Sequence, residues 1–204
     1  ENYQQPEIPK GIEKNIVKGM YLLEDGGAKE YKVVKAINKD QRLRLLGSGT
    51  ILREVRKAAE ILRKEYSVVV DVWSVTSFNE LRRDALAVCR ENMLHPDKKA
   101  KLPFVTEQLS KQKGPVIATT DYMKAYSDQI REFVPDSYRV LGTDGFGRSD
   151  SREQLRHFFE VDSKFVVLAG LTELKELGLV NAKEILAHMK ATGINLDKVN
   201  PLNQ

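Results

Sequence analysis

A strand that is apolar on both faces must be covered from two sides, and the run Val68-Val69-Val70-Asp71-Val72-Trp73 has that character. A half-exposed strand alternates apolar and polar residues, whereas a near-continuous run of β-branched residues belongs between two layers. Leu43, Leu45 and Leu46, then Val116-Ile117-Ala118 and Tyr138-Arg139-Val140-Leu141, are further short runs of the same kind. Segments of helical period lie between them. Ile51, Leu52, Val55, Ala58, Ala59 and Leu62 fall at three- and four-residue spacing along one face, and Leu81, Ala85, Val88 and Cys89 form a second such face. Lys164 to Gly193 is helical in period with a break at Gly178. Strands alternating with helices in this way specify an α/β domain with a largely parallel, twisted sheet and helices on both faces.

Local signals place the helix starts. Ser77 with Glu80 and Ser151 with Gln154 have the spacing of a capping box. Asp121 is the expected cap of a helix over Tyr122 to Val134, and Asn181 that of the last helix. Glu1 to Lys10 carries Pro6 and Pro9 among polar residues and reads as an extended arm. Met20 to Leu23 and Tyr31 to Ile37 flank Glu24-Asp25-Gly26-Gly27, whose glycines supply the positive φ of a tight turn, so a hairpin is expected. The chain accordingly divides into residues 1–40, an arm with a hairpin, and 41–204, the α/β domain. Its opening, Glu-Asn-Tyr-Gln-Gln-Pro, is expected to be an internal point of a longer polypeptide.

The net charge of +4 and a pI near 9.0 raise the question of nucleic acid. The 33 basic residues face 29 acidic ones, and both signs sit close together in stretches such as Arg53-Glu54-Val55-Arg56-Lys57. A nucleic-acid footprint gathers basic residues on one face with aromatics between them, and the linear sequence has neither feature. No apolar run approaches the roughly 18 to 20 residues of a membrane helix. With one cysteine, Cys89, an internal disulfide is excluded and a cytoplasmic setting is expected.

Two glycine loops follow strands and precede helices, where free N–H groups favour anions. Gly47-Ser48-Gly49-Thr50 lacks the third glycine of a dinucleotide fingerprint and suits a tight turn. Gly142 to Asp150 packs three glycines, two aspartates, an arginine and a phenylalanine into nine positions at a strand's carboxyl end. A functional role, as substrate channel or subunit interface, and plain turn chemistry both fit it. His95, His157 and His188 have no metal-ligand spacing, Cys89 is expected to be a buried inert thiol, and Trp73 a core residue. The residues thus supply no complete catalytic set, which leaves a non-catalytic domain of a larger enzyme or an independent nucleotide- or anion-binding module.

The stretches LLGSGTILREVRKAAEIL, DVWSVTSFNELRRDAL, ENMLHP, TTDYMKAYSDQIREFVP and YRVLGTDGFGRSDSREQLRHFFEVD, with the ending NLDKVNP, resemble the C-terminal region of the homodimeric-type bacterial pyruvate dehydrogenase decarboxylating component. The likeness runs in order over nearly the whole chain. It implies a transketolase-like C-terminal domain: three layers, α/β/α, with a mixed five-stranded sheet holding one antiparallel strand. It further implies a parent enzyme that binds thiamine diphosphate and magnesium in other domains and decarboxylates pyruvate. That enzyme would pass the two-carbon unit to the lipoyl group of dihydrolipoamide acetyltransferase and form a homodimer, without nucleic acid or membrane as a partner. The family's Gly-Asp-Gly cofactor motif is not found, because Thr143 separates Gly142 from Asp144. No catalytic, cofactor-binding or metal-binding residue is therefore carried onto this chain. Asp144, Phe146, Arg148, Ser149 and Asp150 are expected to shape the face turned toward a neighbouring domain or subunit.

Overall fold

The computed structural model describes residues 4, 6–33, 35–37 and 42–203. Five strands form one sheet in the order β1-β3-β2-β4-β5: β1 (Met20–Glu24), β2 (Leu43–Ser48), β3 (Val70–Val75), β4 (Val116–Thr119) and β5 (Tyr138–Leu141). β2 runs parallel to β3 and β4, and β4 parallel to β5, while β1 lies antiparallel to β3. The helices are α1 (Glu13–Val17), α2 (Leu52–Glu65), α3 (Phe78–Leu94), α4 (Phe104–Leu109), α5 (Lys124–Asp128), α6 (Arg152–Phe158), α7 (Ser163–Glu176) and α8 (Ala182–Thr192). The α/β reading and the mixed five-stranded sheet are what the structure has. Among the described residues no helix is long and apolar enough to cross a membrane.

The two faces of the sheet carry separate cores. Leu43 and Leu45 of β2, Val70 and Val72 of β3 and Ile117 of β4 pack against α2 and α7. At alternate positions of the same strands, Leu46, Trp73, Val116 and Ala118 pack on the other face with Phe78, Leu81 and Ala85 of α3 and Phe104, Val105 and Leu109 of α4. Leu45 is wholly buried, and burial of such a side chain is worth about 1.5–3 kcal/mol. α2 presents Val55, Ala58, Ala59 and Leu62 to its core and ends before Ser67, which takes a left-handed φ of 55°. Ser77 accepts the Glu80 amide and Ser151 the Gln154 amide. The reciprocal half of the box at Ser77 is not made, since the Glu80 carboxylate is held by Arg83. Asn181 and Glu184 complete a full capping box on α8.

The expected hairpin does not form among the described residues. Met20 to Glu24 pairs with Val75 to Val72 of β3, and residues 31–33 and 35–37 contain no strand. The apolar strand joins the open edge of a long buried partner, where Met20 is fully covered, rather than a segment carrying Lys32 and Lys35. The glycine turn serves another end: the Gly26 amide donates to Asp71 Oδ1 at 2.8 Å and the Gly27 amide to Asp25 Oδ1 at 2.8 Å. A strand from the first 40 residues is thus part of the sheet.

Two buried charges on β2 and β3 anchor the irregular segments. Arg44, 1% exposed, donates to the carbonyls of Leu109, Gln112 and Gly114 and pairs with Asp136 at 2.5 Å. Gly114, with φ of +127°, passes so close that a Cβ would lie 2.3 Å from the Arg42 carbonyl oxygen. Asp71, the register neighbour of Arg44, accepts from Gly26 and from Arg42 at 2.9 Å. Burial nevertheless raises Asp71 above its ordinary value of 3.8.

Arg44→Met is expected to cost about 3 kcal/mol or more, because it strips the partners from buried carbonyls and from Asp136. Urea unfolding checks this, and a loss below about 1 kcal/mol would mean the contacts do not hold the loop. For Asp71 the folded state favours the protonated carboxyl. Its contribution is therefore full below the ordinary carboxylate range and lost as pH rises through the raised value. The stability gap between wild type and Asp71→Asn should narrow from pH 4 to pH 7, and a gap that widens would contradict the raised value.

Candidate functional site

Where the chain crosses from one face of the sheet to the other, a crevice opens at the carboxyl ends of the strands. β2 leads into α2 on one face, and β3 leads into α3 and α4 on the other before β4 returns beside β2. The loops after β2, β4 and β5 meet there. Ser48 Oγ donates to Thr120 Oγ1 at 2.8 Å, and Thr50 Oγ1 lies 3.4 Å from Asp121 Oδ2. Gly49 turns with φ of +54° beside the Asp121 carboxylate, so a side chain there would be strained by the backbone conformation. Thr143 donates its hydroxyl to the Asp121 carbonyl at 2.6 Å and its amide to the Tyr122 carbonyl at 2.9 Å.

These loops and α6 enclose a cleft of about 470 Å³, lined among others by Thr50, Asp121, Thr143, Phe146, Arg148 and Arg152. Arg148, Arg152 and Arg156 recur at four-residue spacing and all line it. Arg156 is fixed by Glu54 at 3.3 Å, and the same carboxylate accepts the Ser163 amide at 3.1 Å. The cleft therefore has arginines on one wall and Thr50, Thr143 and the Asp121 carboxylate on the other, with Glu54 balancing Arg156.

The five expected residues are spread along the loop. Asp144 faces inward: its Oδ1 accepts the Lys124 amide at 2.8 Å. Phe146 is 83% exposed. The Arg148 guanidinium lies over the Phe158 ring, 5.0 Å from its centroid, a cation–π contact that keeps the charge near the cleft. Asp150 accepts the Ser151 amide at 2.6 Å, and Ser149 is exposed. The fold brings Phe146 and Arg148 to the cleft, keeps Asp144 beneath it, and leaves Ser149 and Asp150 outside its lining.

Asp121 does not cap the following helix. α5 begins at Lys124 with no side chain of its own segment on its first amides, and Asp144 of the next loop accepts the Lys124 amide instead. The helix is short because the chain turns through Arg131–Phe133 in a 3₁₀ turn that buries Phe133. Tyr122, Met123 and Tyr126 are consequently exposed at the same edge, the two rings 5.2 Å apart. In the linear sequence Tyr122 and Tyr126 continue at helical spacing to Ile130 and Phe133, so nothing in the residues marked their exposure. Arg152 and Arg156 were also missed, although their spacing from Arg148 was there to read.

The remaining candidates are structural. His157 Nδ1 meets Asp162 Oδ2 at 3.0 Å, and His188 Nε2 meets the Lys164 carbonyl at 3.0 Å. Trp73 is buried, as expected. Cys89 is exposed, not buried: it lies past the end of the covered stripe of α3, which comprises Phe78, Leu81 and Ala85. Among the described residues no three His, Cys, Asp or Glu converge to hold a metal ion.

Residues 19–162 match the model of the transketolase-like C-terminal domain family. The chain is 54% identical over its whole length to the pyruvate dehydrogenase E1 component of Pseudomonas aeruginosa, covering 22% of that protein. It is 50% identical over 98% of its length to the component of the same name from Escherichia coli, covering 21% of it. With that of Cupriavidus necator the identity is 47% over 100% of the chain, covering 22% of the relative. The chain thus spans about a fifth of the length of these curated relatives.

Asp144→Ala should release the start of α5 at a cost of about 1 kcal/mol, the usual worth of a cap. Hydrogen exchange at the Lys124 amide is the measurement. Equal protection in Asp144→Ala and wild type would show that the contact does not order the loop.

Proposed function

The chain belongs to the transketolase-like C-terminal domain family, and from that membership we propose that it is the C-terminal domain of a pyruvate dehydrogenase E1 component. The observation that carries this reading is the 54% identity maintained over all 204 residues. In this reading the whole enzyme, a cytoplasmic homodimer, decarboxylates pyruvate with thiamine diphosphate and magnesium. It then transfers the two-carbon unit to the lipoyl group of dihydrolipoamide acetyltransferase. Residues 1–40 carry the connection to the rest of that enzyme and also lend the domain its edge strand β1, and 41–204 supply the other four strands.

Thiamine diphosphate would need a divalent cation, and that cation would need oxygen donors from the protein. The described residues do not fit that group: no donor cluster converges, and the carboxylate of Asp144 is committed to the Lys124 amide. No step of the reaction is assigned to this domain's side chains. Its part is to support and cover. Asp144 holds the loop down while Phe146, Arg148, Ser149 and Asp150, with the exposed Tyr122, Met123 and Tyr126, form the face for a neighbouring domain or subunit. Aromatic and arginine anchors at an otherwise solvated edge are the residues that carry interface energy.

Two measurements test the reading. The isolated 204-residue chain should release no CO₂ from pyruvate when supplied with the cofactor and magnesium, whereas the full-length enzyme should. In the full-length enzyme Phe146→Ala and Arg148→Ala should each weaken dimerisation or lower kcat/KM by roughly tenfold, about 1.4 kcal/mol. Turnover by the isolated chain would refute the domain's supporting role, and variants indistinguishable from wild type would refute the assigned face.

A further inference from the structure

Along the sequence of α2 the two signs of charge alternate, but the fold separates them. Glu54 points inward, 6% exposed, to the Ser163 amide and Arg156. The outward stripe is left with Arg53, Arg56, Lys57, Arg63 and Lys64 around Glu60. Opposite it, residues 30–33 and 35 bring Lys32 and Lys35. Between the two lies a cavity of about 860 Å³, within the size range of small-molecule sites. Seven Lys and Arg side chains and three Glu line it, a surplus of four positive charges that equals the net charge of the entire chain.

The floor of the cavity is fixed rather than free. Glu24, 3% exposed, accepts from Arg56 at 2.6 Å and from Arg63 at 2.7 Å, so one carboxylate holds two guanidinium groups in place. Arg63 also donates to the Val70 carbonyl at 2.8 Å and lies 4.6 Å from the centroid of the Tyr31 ring. Lys64 is matched by Glu60, and Lys57 lies 3.3 Å from Glu54. Lys32 and Lys35 have no ion-pair partner among the described residues and are exposed at the rim. Pre-positioned guanidiniums with movable lysines above them suit an acceptor-rich anion bearing more than one charge. A monocarboxylate would balance a quarter of the surplus, whereas a diphosphate would neutralise most of it.

We infer that the cavity between α2 and residues 30–33 and 35 binds a small diphosphate anion, with Lys32 and Lys35 contributing their charges from the rim. This site is separate from the cleft at the strand ends, and it stands or falls independently of the enzyme assignment.

Calorimetric titration of the 204-residue chain with pyrophosphate and with ADP at low salt tests the inference. Both should bind with a Kd below about 1 mM, and added salt should weaken them. Lys32→Gln/Lys35→Gln, which removes two exposed and unpaired charges, should weaken binding roughly tenfold at an unchanged melting temperature. Lys57→Gln should weaken it as well. Lys98→Gln/Lys99→Gln, which removes as much charge from the exposed connection after α3, should leave affinity unchanged. Absence of binding by either probe overturns the inference. So does equal weakening by the two double variants, which would reveal general attraction to a basic protein. Binding of a short DNA duplex where neither probe binds would point to an extended partner and overturn it too.

Discussion

β2 and β3 are covered on both faces along almost their whole length, and this double burial governs everything else in the molecule. A strand pair so enclosed has no side chain to offer solvent or substrate, so chemistry is displaced to the strand ends and to the outer faces of the helices. The two charged residues that intrude, Arg44 and Asp71, are register neighbours, and each is tied to a segment without regular structure. Arg44 gathers the connection from Leu109 to Gly114, and Asp71 gathers the Gly26 turn with Arg42. Charges that would be costly if unpaired thus act as fasteners between the rigid sheet and its loops.

Much of this was legible in the residues because it is local. Apolar runs marked four strands, three-and-four spacing marked α2 and α3, and Asn181 with Glu184 marked the start of α8. What failed depended on partners distant in sequence. The segment at Met20 reads as half of a hairpin because a glycine turn follows it, yet it pairs with the edge of β3, where Met20 is fully buried. Asp121 had the right position for a cap, but Asp144, 20 residues beyond Lys124, accepts the Lys124 amide instead. Cys89 continued an apolar stripe that the other face of the protein does not extend far enough to cover. Glu54 looked like one of a mixed set of surface charges, and only the placement of Ser163 and Arg156 shows that it is turned away from solvent.

The candidate face was legible in part. A loop of glycines, aspartates, phenylalanine and arginine after β5 pointed to the strand ends, and the fold puts Phe146 and Arg148 there. Its depth was not legible, since the arginines of α6 and the exposed tyrosines before α5 come from other parts of the chain. The turn Gly49–Ile51 lies between the two polar recesses: Gly49 borders the basic cavity, while Thr50 and Ile51 border the cleft. Any shift of this one turn is felt in both.

The sheet finishes on two modest margins. β1 has five residues and its register with β3 shifts between Leu22 and Glu24, and β5 has four. Such short or irregular outer strands expose few unsatisfied amides and carbonyls in line, so a second sheet finds little to zip onto. The domain can therefore be held at high local concentration without its strands becoming a seed for fibrous aggregation.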